Sequence, residues 1–393
     1  IWSIKDERTS GFLFPEFSSS DKLGQTIALP YYWVLGDNAD LTITLEGHTK
    51  VGLGVGTELR WKPTLRGFAE GRGYWINDQV RGKTRYRFDW EQRQELPYGF
   101  ELRADLEQIS DFDYVTDYET DLELSSTPQT RSTVDATKNW SWYSLSVRAR
   151  RHEQYFTSGL IGTNQQLTGQ VINDLLPEVE WRGRSQRIAG SPVYFSFEAT
   201  AAGFSREILE PPEGQSTVPT DDELETAVQN SWSRLDLAPT FRLPLLQRAW
   251  MDAQVTASWR GTWYSHRNDL ASPEQSTILS DSLFRSLWSA GLTFSGPRFQ
   301  RVFDTPGWSF SPKLKHVIEP FVDYNWRPEA SIDDAEVIRV DNVDATPGEL
   351  SDFRYGIRQR FFALKKPRTG RASSLSSAEN VSFAAMDEQE KEA

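Results

Sequence analysis

Polar and apolar residues alternate along most of this chain. In the segment Met251–Trp263 (MDAQVTASWRGTW) every odd position is apolar or glycine and every even position is polar. Successive side chains of a strand project to opposite faces, so this pattern predicts a strand with one greasy side and one wet side. The run is longer than the ~5–6 residues usual for soluble strands and long enough for the ~9–11 residues that cross a bilayer. The same register recurs elsewhere. Thr84, Tyr86, Phe88 and Trp90 alternate with Arg85, Arg87, Asp89 and Glu91, and Leu102, Ala104 and Leu106 with Glu101, Arg103, Asp105 and Glu107. Tyr143, Leu145, Val147 and Ala149 oppose Ser144, Ser146, Arg148 and Arg150, while Val193, Phe195, Phe197, Ala199 and Ala201 oppose Tyr194, Ser196, Glu198 and Thr200. Near the end of the pattern, Phe353, Tyr355 and Ile357 oppose Arg354, Gly356 and Arg358.

A soluble sandwich also alternates, but with shorter strands and closer turns. Here aromatic residues gather near strand ends, at Tyr31–Trp33, Tyr74–Trp75, Trp140–Tyr143, Trp259–Tyr264 and Tyr324–Trp326. Aromatic girdles at the two bilayer interfaces produce that distribution. Long polar segments at 108–137, 205–230, 265–285 and 328–351 are expected as outer loops, separated by short turns at the opposite end. Asp222–Ser231 is left open as a helical turn or two. The fold expected is all-β: a large antiparallel transmembrane β-barrel over residues 1–364, followed by a polar loop or truncated tail over 365–393. With Ile1 at the start and no closing aromatic strand, the chain reads as a segment of a larger barrel.

Composition fits this picture once the pattern is known. The mean hydropathy of −0.57 suggests a water-soluble protein, yet alternating strands and acidic loops lower any average. No stretch reaches the ~18 apolar residues of a membrane helix. The net charge of −13 argues against a nucleic-acid partner, which calls for a basic face. With no cysteine, disulfides and thiolate chemistry are absent from the segment.

Candidate chemistry is sparse. Gly52, Gly54 and Gly56 lack the G-x-G-x-x-G spacing of a dinucleotide loop and continue into a strand, where they allow close backbone approach. His48, His152, His266 and His316 are scattered, and no G-x-S-x-G elbow occurs. Loop carboxylates such as Asp333 with Asp334 and Asp341 with Asp344 read as solvated, with weak divalent-cation binding as the functional alternative. No catalytic residue, cofactor or metal site is expected. Pro15 and Pro30 carry more information. Proline cannot donate to a ladder, and two such breaks in the first two strands describe a weakened edge at the seam of a closed barrel.

Arg8-Thr9-Ser10-Gly11-Phe12-Leu13-Phe14-Pro15, followed by Leu29-Pro30-Tyr31-Tyr32-Trp33, resembles the opening of the barrel domain of the LptD family, the lipopolysaccharide-assembly proteins also called organic solvent tolerance proteins. The likeness continues through Asn38–Thr44 and Gly56–Trp61, and returns at Leu237–Pro244 and Lys315–Tyr324. The resemblance implies a Gram-negative outer-membrane translocon that inserts lipopolysaccharide into the outer leaflet. It implies a lateral gate at Pro15 and Pro30, an LptE-like lipoprotein plug in the lumen, and a periplasmic bridge that delivers lipid through a jellyroll domain outside this segment. The inward arginines Arg85, Arg87, Arg103, Arg148, Arg150, Arg354 and Arg358 are candidate contacts for lipid phosphates, or balance lumenal carboxylates such as Asp89, Glu101, Asp105 and Glu107. The competing readings are a porin-like channel or uptake barrel, and a soluble β-rich carbohydrate-binding protein.

Overall fold

The computed structural model describes residues 8–111, 114, 117–118, 129–159, 166–210, 225–270, 278–308 and 311–364. One sheet holds β1 (Gly11–Phe12), β2 (Glu16–Ser20), β3 (Gly24–Gly36), β4 (Ala39–His48), β5 (Gly52–Trp61), β6 (Phe68–Asp78), β7 (Lys83–Leu96), β8 (Phe100–Ile109) and β9 (Gln129–Asn139). It continues through β10 (Tyr143–Gly159), β11 (Gln166–Arg187), β12 (Tyr194–Glu210), β13 (Glu225–Arg248) and β14 (Met251–Tyr264). A two-stranded ribbon of β15 (Arg267–Asn268) and β16 (Ile278–Leu279) stands in the next loop. The main sheet then resumes with β17 (Leu283–Ser295), β18 (Phe299–Asp304), β19 (Lys313–Arg327) and β20 (Leu350–Ala363).

Every pairing is antiparallel, and from β3 to β14 each strand bonds to its neighbours in sequence, the up-and-down order of a barrel wall. β1 and β2 lie in line against β3, and β17 and β18 lie in line against β19. The wall is open. Among the described residues, β20 bonds only to β19, and β1 and β2 bond only to β3. Short turns such as 37–38, 97–99, 140–142 and 249–250 share one end of the wall. The long connections, including 265–282 and 328–349, share the other.

The faces follow the alternation. Leu53, Trp75, Leu235, Trp288 and Phe353 all expose their side chains on one side of the wall, an apolar band that only lipid would cover. Trp33, Trp61, Trp140 and Trp142 mark that band at the short-turn end, and Trp75, Trp263 and Trp326 mark it toward the other.

Two expectations need correction. β12 extends to Glu210 and β13 begins at Glu225, so much of the predicted 205–230 loop is strand. β9 (Gln129–Asn139) likewise takes in residues 129–137 of the predicted 108–137 loop. β12 and β13 run on past the apolar band, where neither face meets lipid and the alternation disappears. β9 lies within the band beside Leu102 and Ala104, but its outward residues there are only Val134 and Ala136, too small a signal to mark a strand. The helical turn left open at Asp222–Ser231 is strand from Glu225 onward, its first three residues lying outside the described ones. Residues 1–7 and the tail expected at 365–393 lie outside them too.

Candidate functional site

The first strand is attached to the second by an interrupted ladder. Phe12 pairs with Tyr31 and Glu16 with Ala28, so three residues of the first strand, Leu13 to Pro15, face two of the second, Leu29 and Pro30. This is a bulge, and both prolines sit in it. The Leu13 amide donates to the Pro30 carbonyl at 2.9 Å. In an antiparallel ladder the return bond would run from residue 30 to the Leu13 carbonyl, and proline has no N–H to make it. On its other edge β3 is registered with β4 from Thr26 to Val34 without a break.

The second strand is also fastened from the lumen. Thr26 Oγ1 lies 2.8 Å from His48 Nδ1, His48 Nε2 lies 2.8 Å from the Tyr74 hydroxyl, and that hydroxyl donates to Glu46 at 2.9 Å. Since Tyr74 spends its proton on Glu46, His48 Nε2 donates to it, and Nδ1 accepts from Thr26. Gly54 makes room for the arrangement, because a Cβ there would stand 2.5 Å from the Tyr74 hydroxyl. The side-chain chain joins β3, β4 and β6, whereas β1 and β2 hang from β3 by two and five paired positions.

The seven lumenal arginines differ sharply in their partners. Arg85 is fully buried and bonds to Asp111 at 2.6 Å, Asp117 at 2.7 Å and Asp78 at 3.3 Å, beneath the Tyr114 and Tyr118 rings. Arg87 reaches Asp89 and Glu107 at 2.9 and 3.2 Å, and Arg103 reaches Glu101 at 2.9 Å. Arg148 pairs with Glu178 at 3.1 Å, Arg354 with Asp352 at 2.7 Å and Arg358 with Glu319 at 3.4 Å. Arg150 has neither hydrogen bond nor ion pair among the described residues, and its Nε is buried without a partner.

The polar segment between β19 and β20 is folded against the inner wall. Ile338 is buried among Leu175, Ala202, Phe204 and Trp232 of β11, β12 and β13. Arg234 of β13 donates to Asp341 at 2.7 and 2.8 Å and to Asp344 at 2.7 Å. Asp344, 1% exposed, also accepts from Tyr264 and from the backbone of Val340. Arg285 of β17, fully buried, donates to the Val343 and Asp344 carbonyls and to Thr262. Asn268 and Arg267 hold the start of the segment through Ala335, Val337 and Glu336. The solvated-loop expectation for Asp341 and Asp344 is therefore corrected: both carboxylates face an arginine. Alternation assigns Arg234 and Arg285 to the wet face, but no sequence signal connects Arg234 to carboxylates 107 and 110 residues downstream, or Arg285 to the Val343 and Asp344 carbonyls 58 and 59 residues downstream.

Burial pushes the Asp341 carboxyl up, but the hydrogen bonds and charge of Arg234 outweigh it and hold the group below its ordinary range. Asp111 is likewise raised by burial and held low by Arg85 and Ser110. A carboxylate whose folded pKa is depressed contributes stability above its unfolded value of ~4, and loses it as pH falls through the folded value. Protection from hydrogen exchange in the 338–344 segment, taken relative to the intrinsic rate at each pH, should thus be constant from about pH 5 upward and fall only below about pH 4. Loss of protection beginning near neutral pH would rule out Asp341 as the anchor.

These features define a class: an antiparallel β-barrel wall of the outer membrane, with a charged lumen and one of its own loops folded into it. The family model "LPS transport system D" matches residues 83–351. The chain belongs to this family, LptD. It is 27% identical over 380 residues to the LPS-assembly protein LptD of Xanthomonas campestris, covering 90% of this chain and 43% of the relative. It is 24% identical over 366 residues to that of Pseudomonas savastanoi, covering 89% of this chain and 38% of the relative. With its Cupriavidus pinatubonensis counterpart it shares 23% identity over 337 residues, 83% of this chain and 37% of the relative. The chain thus spans about two fifths of the length of these relatives. Vibrio cholerae OmpT, an outer-membrane protein, aligns at a TM-score of 0.28 and 9% identity, over 90% of this chain and 96% of that one.

Proposed function

We propose that this chain forms the opening part of the wall of an outer-membrane translocon that delivers lipopolysaccharide to the outer leaflet, leaving through a lateral gate beside the first strand. The observation that carries the reading is the broken ladder of β1 and β2 on β3, with Pro15 and Pro30 in one bulge, against a side-chain-fastened β3–β4 pairing unbroken from Thr26 to Val34. Lipopolysaccharide has a charged sugar head and several acyl chains. Its head calls for a wet, ion-lined lumen, and its tails call for a seam that parts toward lipid.

In this reading the lumenal arginines do two kinds of work. Arg85 holds the start of the β8–β9 connection and is committed to three carboxylates. Arg87, Arg103, Arg148, Arg354 and Arg358, each beside a carboxylate, form a charged surface along which phosphates exchange with protein partners. An LptE-like lipoprotein would occupy the short-turn half of the lumen, where Arg93, Glu95, Glu101 and Arg103 have largely exposed side chains. A periplasmic bridge would deliver the lipid from that end. A porin-like channel is disfavoured by the loop packed into the opposite half of the lumen.

The gate is tested in the full-length protein with Pro15→Thr and Pro30→Val together. Restoring two donors adds ladder bonds of ~0.5–1.5 kcal/mol each, so seam opening and the arrival of new lipopolysaccharide at the surface should slow by about tenfold. Pulse-chase labelling of surface lipopolysaccharide measures it. An unchanged rate in the double variant, with the protein at normal abundance, removes the gate from Pro15 and Pro30.

A further inference from the structure

Among the described residues six of the seven lumenal arginines named above are paired, and Arg150, which is not, is placed by a specific irregularity of the wall. Arg148 of β10 faces Glu178 of β11, but two positions on Arg150 faces Leu175, three positions back. The extra residue is a bulge at Leu176–Pro177, and Gly203 of β12 stands opposite it. A Cβ on Gly203 would come within 2.7 Å of the Leu176 carbonyl, so the neighbouring strand is cut to fit. Because side-chain direction alternates, one extra residue exchanges the two faces of everything beyond it. Without the bulge, Asp174 would fall on the lumenal face among the arginines. With it, Asp174 lies opposite Arg151, 3.7 Å from that guanidinium on the outer side, and the lumen receives Asn173 and Leu175.

The bulge therefore turns the Asp174 carboxylate toward Arg151, while Asp174 still borders the cavity that Arg150 lines. On the lumenal face Arg150 stands opposite Thr133, and His152 opposite Arg131. The Arg131 guanidinium, like that of Arg150, has neither hydrogen bond nor ion pair among the described residues, although its backbone bonds to Glu107. The five carboxylates that line the cavity each have another arginine: Asp174 has Arg151, Glu178 has Arg148, Glu180 has Arg182, Glu198 has Arg260 and Asp341 has Arg234. In front of Arg150 is a chamber of about 620 Å³, roofed by Val340–Val343 of the inward-folded segment. That is within the ~300–1,000 Å³ of small-ligand sites. A guanidinium with a buried, unpartnered Nε lacks a hydrogen-bonding partner, and a tetrahedral oxyanion satisfies a guanidinium in two-pronged fashion.

We propose that Arg150, with Arg131 and His152 beside it, forms a binding subsite for the phosphate monoester of a phosphorylated saccharide, closed over by the 340–343 tip. The inference rests on the lipopolysaccharide-assembly reading and names where, along the lumen, a phosphate of the sugar head pauses.

The test uses the full-length protein in nanodiscs, with glucosamine 6-phosphate as the probe and calorimetry as the readout. The unsubstituted protein should bind the probe, Arg150→Gln should weaken it by tenfold or more, and Arg150→Lys should retain part of the affinity. Arg66→Gln, at an exposed arginine of the 62–67 turn that pairs with Glu95 at 3.5 Å, far from the chamber, should leave it within twofold. Equal affinity in Arg150→Gln, or no binding by the unsubstituted protein, overturns the subsite. A second arm adds phosphatidylglycerol to the nanodiscs. Undiminished probe binding supports a saccharide phosphate, and full displacement assigns the phosphate to a bilayer lipid and overturns the saccharide assignment. Failure here leaves the assembly reading standing, since that falls only if cells depleted of the protein still place lipopolysaccharide on their surface.

Discussion

Replacing Arg234 with methionine in the full-length protein should free the 328–349 segment from the lumen. Arg234 is 1% exposed and the sole cation bonded to the Asp344 side chain among the described residues, so its loss leaves a buried carboxylate facing an apolar side chain. Breaking one partner of a buried pair costs about 3–5 kcal/mol, because the charge left behind is uncompensated. The Ile338 contact with Leu175, Phe204 and Trp232 cannot offset that, since burying one aliphatic side chain is worth ~1.5–3 kcal/mol. Protease added outside intact cells should then cut between Asp333 and Gly348, and single-channel conductance should rise as the lumen opens. Adding Asp341→Asn and Asp344→Asn to Arg234→Met should recover part of the protection, because a neutral set is cheaper to bury than a broken pair. A segment that stays protected in the single variant would show that Arg285, through the Val343 and Asp344 carbonyls, suffices to hold it.

The second large effect is expected at Arg85. Arg85→Met leaves Asp78 and Asp111, both nearly fully buried, beside Asp117 with no shared cation. Three carboxylates around one vacated position repel each other as well as lacking a partner, so the loss should reach or exceed the upper part of the ~3–5 kcal/mol range. Amide exchange at Ser110, Tyr114 and Tyr118 should become fast, while β13 and β14 keep their protection. The Tyr118 hydroxyl, which donates to Asp78 at 2.7 Å, gives a local reporter through its ring resonances. Global unfolding of the sheet, instead of local release, would mean that Arg85 supports the wall as well as the loop.

The strands were legible because a bilayer on one side and water on the other impose a two-residue period, and β14 or β7 can be traced residue by residue from it. That period fails where β12 and β13 rise past the apolar band, since both faces there are polar. The weakness at Pro15 and Pro30 was legible for a different reason. Proline lacks a donor in any context, so the chemistry of the break needs no tertiary information. That the two prolines meet in one bulge depends on register.

The charged residues divide along the same line. Sequence alone determined that Arg85, Arg148 and Arg150 share a wet face, because side-chain direction is a local property of the strand. Tertiary structure decided that Arg85 is enclosed by three carboxylates while Arg150 bonds to none among the described residues, because pairing depends on which strands lie adjacent and where their registers slip. It also decided that a segment as polar as 328–349 folds inward, since Arg234 and Arg285 supply buried positive charge from strands distant in the chain. Alternation is written in consecutive residues. The partner of a buried charge is set by loop closure over a hundred residues, and the sequence carries no local mark of it.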